Sequence, residues 1–501
     1  MSLLGIDVGT TGVKAVVFNI EGKVIADAYK EYPLIYIKPG WIELNPHIIL
    51  NSIEEVIKKV NILSRKDPVE VISVSSMSES FISLDSNGNI LGNSIANLDT
   101  RAEFLIEWWE KKLGKFNIFK ITGQPLNSIL TINKLIWLKK FKPKLFKKVW
   151  KFLCYEDFVF YKLSGETITD YSIAARTMAF DINKKKWSDK ILNIAGIDVN
   201  LLPDVKPSGE VIGEVSKKVA KKLGFKRKVF LVSGAHDQPA GAVGSGIVKE
   251  GIAMDATGTV ECITPAFNKL NLNKKMLEYN YCCSPHALKN LYVTFAYNFT
   301  GGSLLRWYRD TFAIEEKKLA KRSNKDVYNI ILKEIPKNPT NLFILPHFLA
   351  TGTPYFDSNS KGVILGLTFG TKKNEVVKAI LEGITYEMKL NLYYLKNAGV
   401  DISEIRTIGG GAKSDVWLQL KADMFNKKVV SLNVSESACL GVALLGGVAV
   451  GKYKSIYEAI NNVVKVKKVF YPDFKKSKIY EDKFEIYKKI YPTLKDILHK
   501  I

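Results

Sequence analysis

The stretch Leu3-Leu4-Gly5-Ile6-Asp7-Val8-Gly9-Thr10-Thr11-Gly12-Val13-Lys14-Ala15-Val16-Val17-Phe18-Asn19 is two apolar runs joined by a turn of glycine and threonine. Apolar runs bounded by such residues read as strands, so residues 3–8 and 13–19 predict a hairpin turning over 9–12. Glu21-Gly22 supplies a second turn before a further strand over 23–29. From Gly251 the pattern starts again, with strands expected over 252–255 and 260–264 and a turn over 256–259. Asp7-Val8-Gly9-Thr10-Thr11 and Asp255-Ala256-Thr257-Gly258-Thr259 therefore each turn a hairpin that opens one half of the chain. The boundary is expected near 243–250, giving domains over 1–246 and 247–501.

The segments around these hairpins alternate between helix and strand. Ile49, Ile53, Val56, Ile57 and Val60 share one face of a helix expected over 48–64. A short β-branched strand is expected over 69–75, a helix over 131–141, and a strand over 229–233 that runs into Gly234-Ala235-His236-Asp237-Gln238-Pro239-Ala240-Gly241. A long amphipathic helix over 375–395 precedes a strand over 405–408 and Gly409-Gly410-Gly411. Strands alternating with helices define an α/β core.

Bulk properties narrow the function classes. At 501 residues the chain is too long for one compact core. Its 47% hydrophobic and 25% charged content is that of a globular protein. The opening residues lack a basic stretch followed by a cleavage-like site. The apolar run over 438–451 is shorter than the roughly 20 residues a membrane span needs. A cytoplasmic protein with no membrane partner is expected. Five cysteines with no Cys-x-x-Cys, and only five histidines, predict reduced, buried thiols rather than a disulfide framework or zinc site. The net charge of +23 comes from lysines spread along the whole chain, as at Lys58-Lys59, Lys111-Lys112 and Lys372-Lys373. With no basic block interleaved with aromatics, a general lysine bias is expected and a nucleic-acid partner is not.

A Gly/Thr turn aims several backbone N–H groups one way and leaves room for close approach, which suits phosphate oxygens. Asp7 is placed to hold Mg2+ through water, since that ion takes one or two carboxylates and keeps several waters. Lys14 lies past the turn, within reach of phosphates if the hairpin curls back. Either turn alone is also an ordinary hairpin; two copies one domain apart favour a shared nucleotide site. No G-x-x-x-x-G-K-[ST] and no protein-kinase H-R-D or D-F-G occurs, which leaves a nucleotide held between the two hairpins. Phosphoryl transfer to an alcohol needs a carboxylate to take the hydroxyl proton. Asp237, after a buried strand and between His236 and Gln238, is the candidate base; an ordinary helix N-cap is the alternative reading.

Over residues 3–450 these motifs resemble the FGGY carbohydrate kinases of the actin, Hsp70 and hexokinase superfamily. Asp7-x-Gly9-Thr10-Thr11 and Gly258-Thr259 resemble its two phosphate motifs, and the run from Gly234 to Gly244 its catalytic-aspartate motif. Gly409-Gly410-Gly411-Ala412-Lys413-Ser414, with Trp417, Gln419, Ala422 and Asp423 behind it, resembles the adenosine motif. Gly362-x-Ile364-x-Gly366-Leu367, then seven residues, then Glu375-Val376-x-x-Ala379-Ile380-Leu381-Glu382-Gly383, is the most specific match. Lys134-Leu135-Ile136-Trp137-Leu138 resembles the N-terminal pattern, from which Ile129 and Phe141 depart.

The resemblance implies two actin-like (ribonuclease H-like) domains with a catalytic cleft between them, closing over substrates to exclude water. The first domain would carry sugar binding and the base Asp237, the second the nucleotide. It implies ATP and Mg2+, with Asp7 toward the metal and Gly9, Thr10, Thr11, Lys14, Gly258, Thr259, Gly302, Gly410, Gly411, Ala412 and Asp415 toward the nucleotide. Met77, Ser78, Glu79, Asp99 and Gln238 fall on the substrate side. Glu79 reads equally as a surface carboxylate or a partner of Arg101, and Asp99 as a turn cap.

Ser76-Met77-Ser78-Glu79-Ser80 keeps the methionine of xylulokinase-like members without their following histidine, and lacks the Arg-Glu pair of glycerol kinases. Asn97 departs from a family segment that usually begins with Trp. Thr169-Asp170-x-Ser172-x-Ala174-x-x-Thr177 resembles the xylulokinase-like branch. A ketopentose is the expected substrate, with a polyol such as glycerol or erythritol as the alternative and a non-sugar ATPase on the same scaffold as a further one. A homodimer is an allowed assembly.

Overall fold

A computed structural model describes residues 2–501. Two sheets organise the chain. The first has six strands in the order Val211–Glu214, Phe230–His236, Val69–Ser76, Ser2–Val8, Gly12–Phe18, Val24–Glu31. Ser2–Val8 pairs antiparallel with Gly12–Phe18, setting Asp7 opposite Lys14, and parallel with Val69–Ser76. Phe230–His236 is parallel to Val69–Ser76. The second sheet repeats this plan. Ile252–Thr257 pairs antiparallel with Glu261–Phe267 and parallel with Glu404–Gly409, which is in turn parallel to Lys428–Leu432. This is the two-domain α/β architecture expected from the sequence, with the central strands of each sheet buried.

Local sequence explains the elements. Helix Pro46–Leu63 starts with Pro at its first position after Asn45, whose side chain accepts the His47 and Ile48 N–H groups. It buries Ile49, Ile53, Val56, Ile57 and Val60 against the first sheet. The helix Lys373–Asn397 runs two residues beyond each end of the expected 375–395, and Thr131–Phe141 matches its expected bounds. Two elements differ. The second hairpin turns at 258–260 rather than 256–259, because Thr257 still pairs with Glu261 and the Gly258 N–H donates to the Val260 carbonyl at 2.9 Å. The strand expected over 229–233 continues to His236, because Gly234 lies so close to its neighbour that a Cβ there would sit 1.7 Å from the Val74 carbonyl oxygen.

The halves join through two small-residue helices, Asp237–Gly244 and Ser437–Ala449. A Cβ on Gly244 would lie 1.9 Å from the Ser437 carbonyl oxygen, and one on Gly441 the same distance from that of Ala240. Ser437–Ala449 also rests on the first sheet, where a Cβ on Gly5 would lie 2.0 Å from the Cys439 carbonyl oxygen. The residue 246/247 division thus separates the two sheets, while this helix of the second half packs with the first. The five cysteines are free and buried. Among the described residues no helix is long and apolar enough to cross a membrane.

Candidate active site

The parallel strands of the first sheet end at one edge, which is where α/β sheets bind ligands. They deliver Asp7, the 77–80 loop and Asp237 to that edge. Asp237 opens helix Asp237–Gly244; the cap position belongs to His236, whose side chain makes no capping bond, so Asp237 is not the N-cap. The Asp237 side chain is 40% exposed at the edge, whereas the helix behind it, from Pro239 to Gly244, is buried. Burial pushes its carboxyl up, but His236, whose Nε2 lies 3.0 Å from Asp237 Oδ1, outweighs this with the Gln238 N–H and Arg176. The net effect holds Asp237 below the usual carboxylate value, and so ionised.

Asp7 has the opposite setting. It accepts the Ser75 hydroxyl at 2.8 Å, yet burial and the carboxylates of Asp237 and Glu436 push it up to about 7. Lys14, placed toward phosphates by the sequence, ion-pairs instead with Glu436. The neighbouring carboxylates of Asp7 and Asp237 fit a dication beside the first turn. Among the described residues no group of three metal-ligating side chains forms.

The two turns are braced differently. In the first, the Gly9 N–H donates to Gly12 O, Tyr32 Oη donates to Gly9 O at 2.5 Å, and Thr10 Oγ1 accepts the Asn97 side-chain amide at 3.0 Å. Thr11 is exposed. In the second, the Gly302 N–H donates to Gly258 O at 2.8 Å and the Gly301 N–H to Thr259 O. Asp255, the positional twin of Asp7, is fully buried with Lys421, whose Nζ also reaches Thr257 Oγ1 and Glu261. The repeat is therefore one of backbone shape: one aspartate is free to meet a ligand and the other is neutralised inside the protein.

A cleft of about 650 Å³ opens on the second turn, within the usual size of a ligand site. Gly258, Thr259, Gly302, Gly410 and Gly411 line it. Gly409, at φ +83°, and Gly411 lie where a Cβ would come within 2.6 Å of Thr257, so glycine is what lets the two loops meet. Ala412 sits in the 3-10 turn Gly411–Lys413 between two lining residues. Asp415, expected toward the nucleotide, instead faces outward and pairs with Lys468. Arg306, Tyr328 and Asn329 complete the wall; they lie after Gly301-Gly302, on helices whose facing no motif marked.

On the side expected to face substrate, Glu79 is buried in the left-handed region at φ +64°, a conformation non-glycine residues hold only when their surroundings impose it. Lys134 Nζ donates to the Glu79 carbonyl at 3.1 Å and to that of Ala96 at 2.7 Å. Arg176 Nε donates to Glu79 Oε1 at 2.6 Å, and Arg176 Nη1 to Gln124 Oε1 at 2.8 Å. Burial raises Glu79, but Arg176 and His236 hold it below the usual value. Glu79 is thus neither a surface carboxylate nor the partner of Arg101.

Arg101 belongs to Asp99. Both Asp99 oxygens accept from it, Oδ2 also takes the Ile42 N–H at 2.6 Å, and Trp41 and Trp137 flank the guanidinium. Expected at the substrate, Asp99 is a buried structural ion pair. Met77 lies in the core of the first sheet and Ser78 is buried, donating to Glu79 Oε2. Gln238 Oε1 accepts the Thr264 hydroxyl of the second half at 3.3 Å. A cavity of about 240 Å³ between the halves is lined by Gln124, Arg176, Asn280, Phe295, Tyr297 and Phe356, among others. No sequence motif marks these residues; Arg176 lies at an unspecified position inside the 169–177 motif.

Two hairpin sheets meeting at a cleft, with a free carboxylate on one side and a glycine-lined cavity on the other, define a two-domain phosphotransferase. Residues 2–244 match the FGGY family of carbohydrate kinases, N-terminal domain, and residues 256–450 the C-terminal domain of the same family. A xylulose kinase of Bacillus subtilis (strain 168) is 30% identical over 99% of this chain and 97% of its own. A glycerol kinase of Thermococcus gammatolerans is 32% identical over 94% of this chain and 93% of its own. The crystal structure of gluconate kinase from Lactobacillus acidophilus shares the fold with a TM-score of 0.89 at 28% identity, covering 98% of both chains. The chain belongs to the FGGY family and is a carbohydrate kinase.

Proposed function

We propose that this chain transfers the γ-phosphoryl group of ATP to a hydroxyl of a small neutral sugar, a ketopentose as in the xylulose kinase relative, with Asp237 as general base. The observation that carries this reading is the ionised, half-exposed Asp237 at the sheet edge beside Asp7, with the glycine-lined cleft in the facing half. Asp237 takes the proton of the attacking hydroxyl, and His236 keeps the carboxylate charged until it does. Mg2+ would be held through Asp7 and supply neutralisation of phosphate charge. The turns at Gly9–Thr11 and Gly258–Thr259 orient the phosphates from the two halves.

The charge around Glu79 supports this substrate class. Its carboxylate is matched by the Arg176 guanidinium, and Gln124 and Gln238 are neutral, so these side chains offer hydroxyl partners but no unpaired cation for an acid group. That supports a neutral polyhydroxy compound over an aldonate. One observation favours the polyol alternative: Arg176 on Glu79 restores from elsewhere in the chain the Arg-Glu pair missing from the 76–80 loop. ADP release measured with D-xylulose, D- and L-ribulose, L-xylulose, erythritol, glycerol and gluconate separates these readings. A ketopentose is expected to give the highest kcat/KM. A preference for glycerol or erythritol moves the assignment to polyols, and ADP release that no acceptor stimulates rejects sugar phosphorylation.

A further inference from the structure

The strand that presents Asp237 is irregular just before its end. Val232 lies opposite Ser73 and Ala235 opposite Ser75, so Ser233 and Gly234 together face only Val74. Such a bulge re-aims the residues that follow it. The extra residue leaves backbone groups that the sheet no longer satisfies, and buried N–H groups need partners.

Two side chains supply them from outside the sheet. Glu156, at the start of helix Tyr155–Ser164, accepts the Gly234 N–H on Oε1 at 2.8 Å. Ser172 Oγ accepts the His236 N–H at 2.8 Å and donates to Asp170 Oδ1 at 2.6 Å. Asp170 is held by the Ser172 N–H at 2.7 Å and the Ser208 hydroxyl at 3.0 Å. Glu156 is itself anchored, its N–H donating to Ser76 Oγ at 3.2 Å. Glu156, Asp170 and Ser172 are all buried. None lies in either cavity described above, and the phosphoryl transfer makes no direct use of them.

We infer that Glu156 and Ser172 are positioning residues for the transfer step: by capturing the Gly234 and His236 N–H groups they hold the bulge that aims Asp237 at the acceptor hydroxyl. The inference rests on Asp237 being the base. Glu156 needs only a carbonyl-type acceptor for this task. Burial pushes its carboxyl well above the usual range, and Asp170 pushes it the same way. An amide therefore preserves the contact where an alkyl chain of similar size does not.

The test compares steady-state kinetics of Glu156→Gln, Glu156→Leu, Ser172→Thr and Ser172→Ala in the full chain, using the best acceptor from the panel above, with ADP affinity measured by calorimetry. Misplacing a catalytic group by an ångström lowers rates by about 100-fold, so Glu156→Leu and Ser172→Ala are expected to lower kcat by roughly 10- to 100-fold. KM for the acceptor and ADP affinity should stay within about threefold, because both ligand walls lie elsewhere. Glu156→Gln and Ser172→Thr should keep kcat within about threefold of wild type. A wild-type kcat in Ser172→Ala, a rise in KM with kcat unchanged, or a Glu156→Gln as impaired as Glu156→Leu overturns the inference. If Glu156→Leu does not fold, the serine pair decides alone. A wild-type chain that no acceptor stimulates would instead remove the kinase reading beneath it.

Discussion

Asp237 and Asp7 face the same edge with opposite proton affinities, and their neighbours account for the difference. Asp237 has His236 at 3.0 Å, while Asp7 has Ser75 and two further carboxylates. Replacing Asp237 by Asn removes the proton acceptor but keeps the shape, and general-base loss lowers rates by about 100- to 10,000-fold. We expect a fall in kcat of that order with ADP affinity within about twofold of wild type; wild-type turnover would reject the assignment. Lys134 offers a test by pH. Burial pushes its ammonium down to about 7 from 10.5, against the pull of Glu79 and Asp99. Between those values the unfolded chain binds more protons than the folded one, so stability from this group rises with pH over the window and is lost as pH falls through about 7. Urea unfolding of wild type and Lys134→Met should show their difference growing in favour of wild type from about pH 7 toward 10. A difference that stays constant would mean Lys134 is not depressed.

Between elements, the contact of Asp237–Gly244 with Ser437–Ala449 is the tightest test of packing. Both helices approach through glycines, and an added methyl on either Gly244 or Gly441 would meet backbone of the partner helix at 1.9 Å, which no rotamer change relieves. Overpacking of this kind typically costs about 1–3 kcal/mol, so Gly244→Ala and Gly441→Ala should each lower the denaturation midpoint visibly. Gly370→Ala is the control, since its nearest neighbour would be the Thr368 hydroxyl at 3.8 Å. Equal stability of all three would place the helices further apart than described. The strands and helices themselves were largely legible, because alternation and the 3.6-residue stripe are local signals. The extension of the strand to His236 was not, since it depends on Gly234 fitting against Val74 of another strand.

For the whole molecule, the two Gly/Thr turns come from opposite halves, and the smaller cavity between them has walls from both, Arg176 and Gln124 on one side and Phe295 and Tyr297 on the other. On the proposed reading the halves close over acceptor and nucleotide, so small-angle scattering should show a smaller radius of gyration with acceptor and a non-hydrolysable ATP analogue than without ligands. An unchanged radius would mean the cleft is already closed.

The duplicated hairpins, the α/β class, the family motifs and the place of Asp237 at a strand end are legible in the chain alone, because each is written in residues close together. Which acidic residues remain unpaired depends on contacts made in the folded chain. Asp255 repeats Asp7 in sequence, but Lys421, 166 residues away, neutralises it. Glu79 likewise receives Arg176 from 97 residues on. Charge pairing between distant segments leaves no local pattern. Its large electrostatic consequence in a buried site is what separates a carboxylate that meets substrate from one that holds the fold.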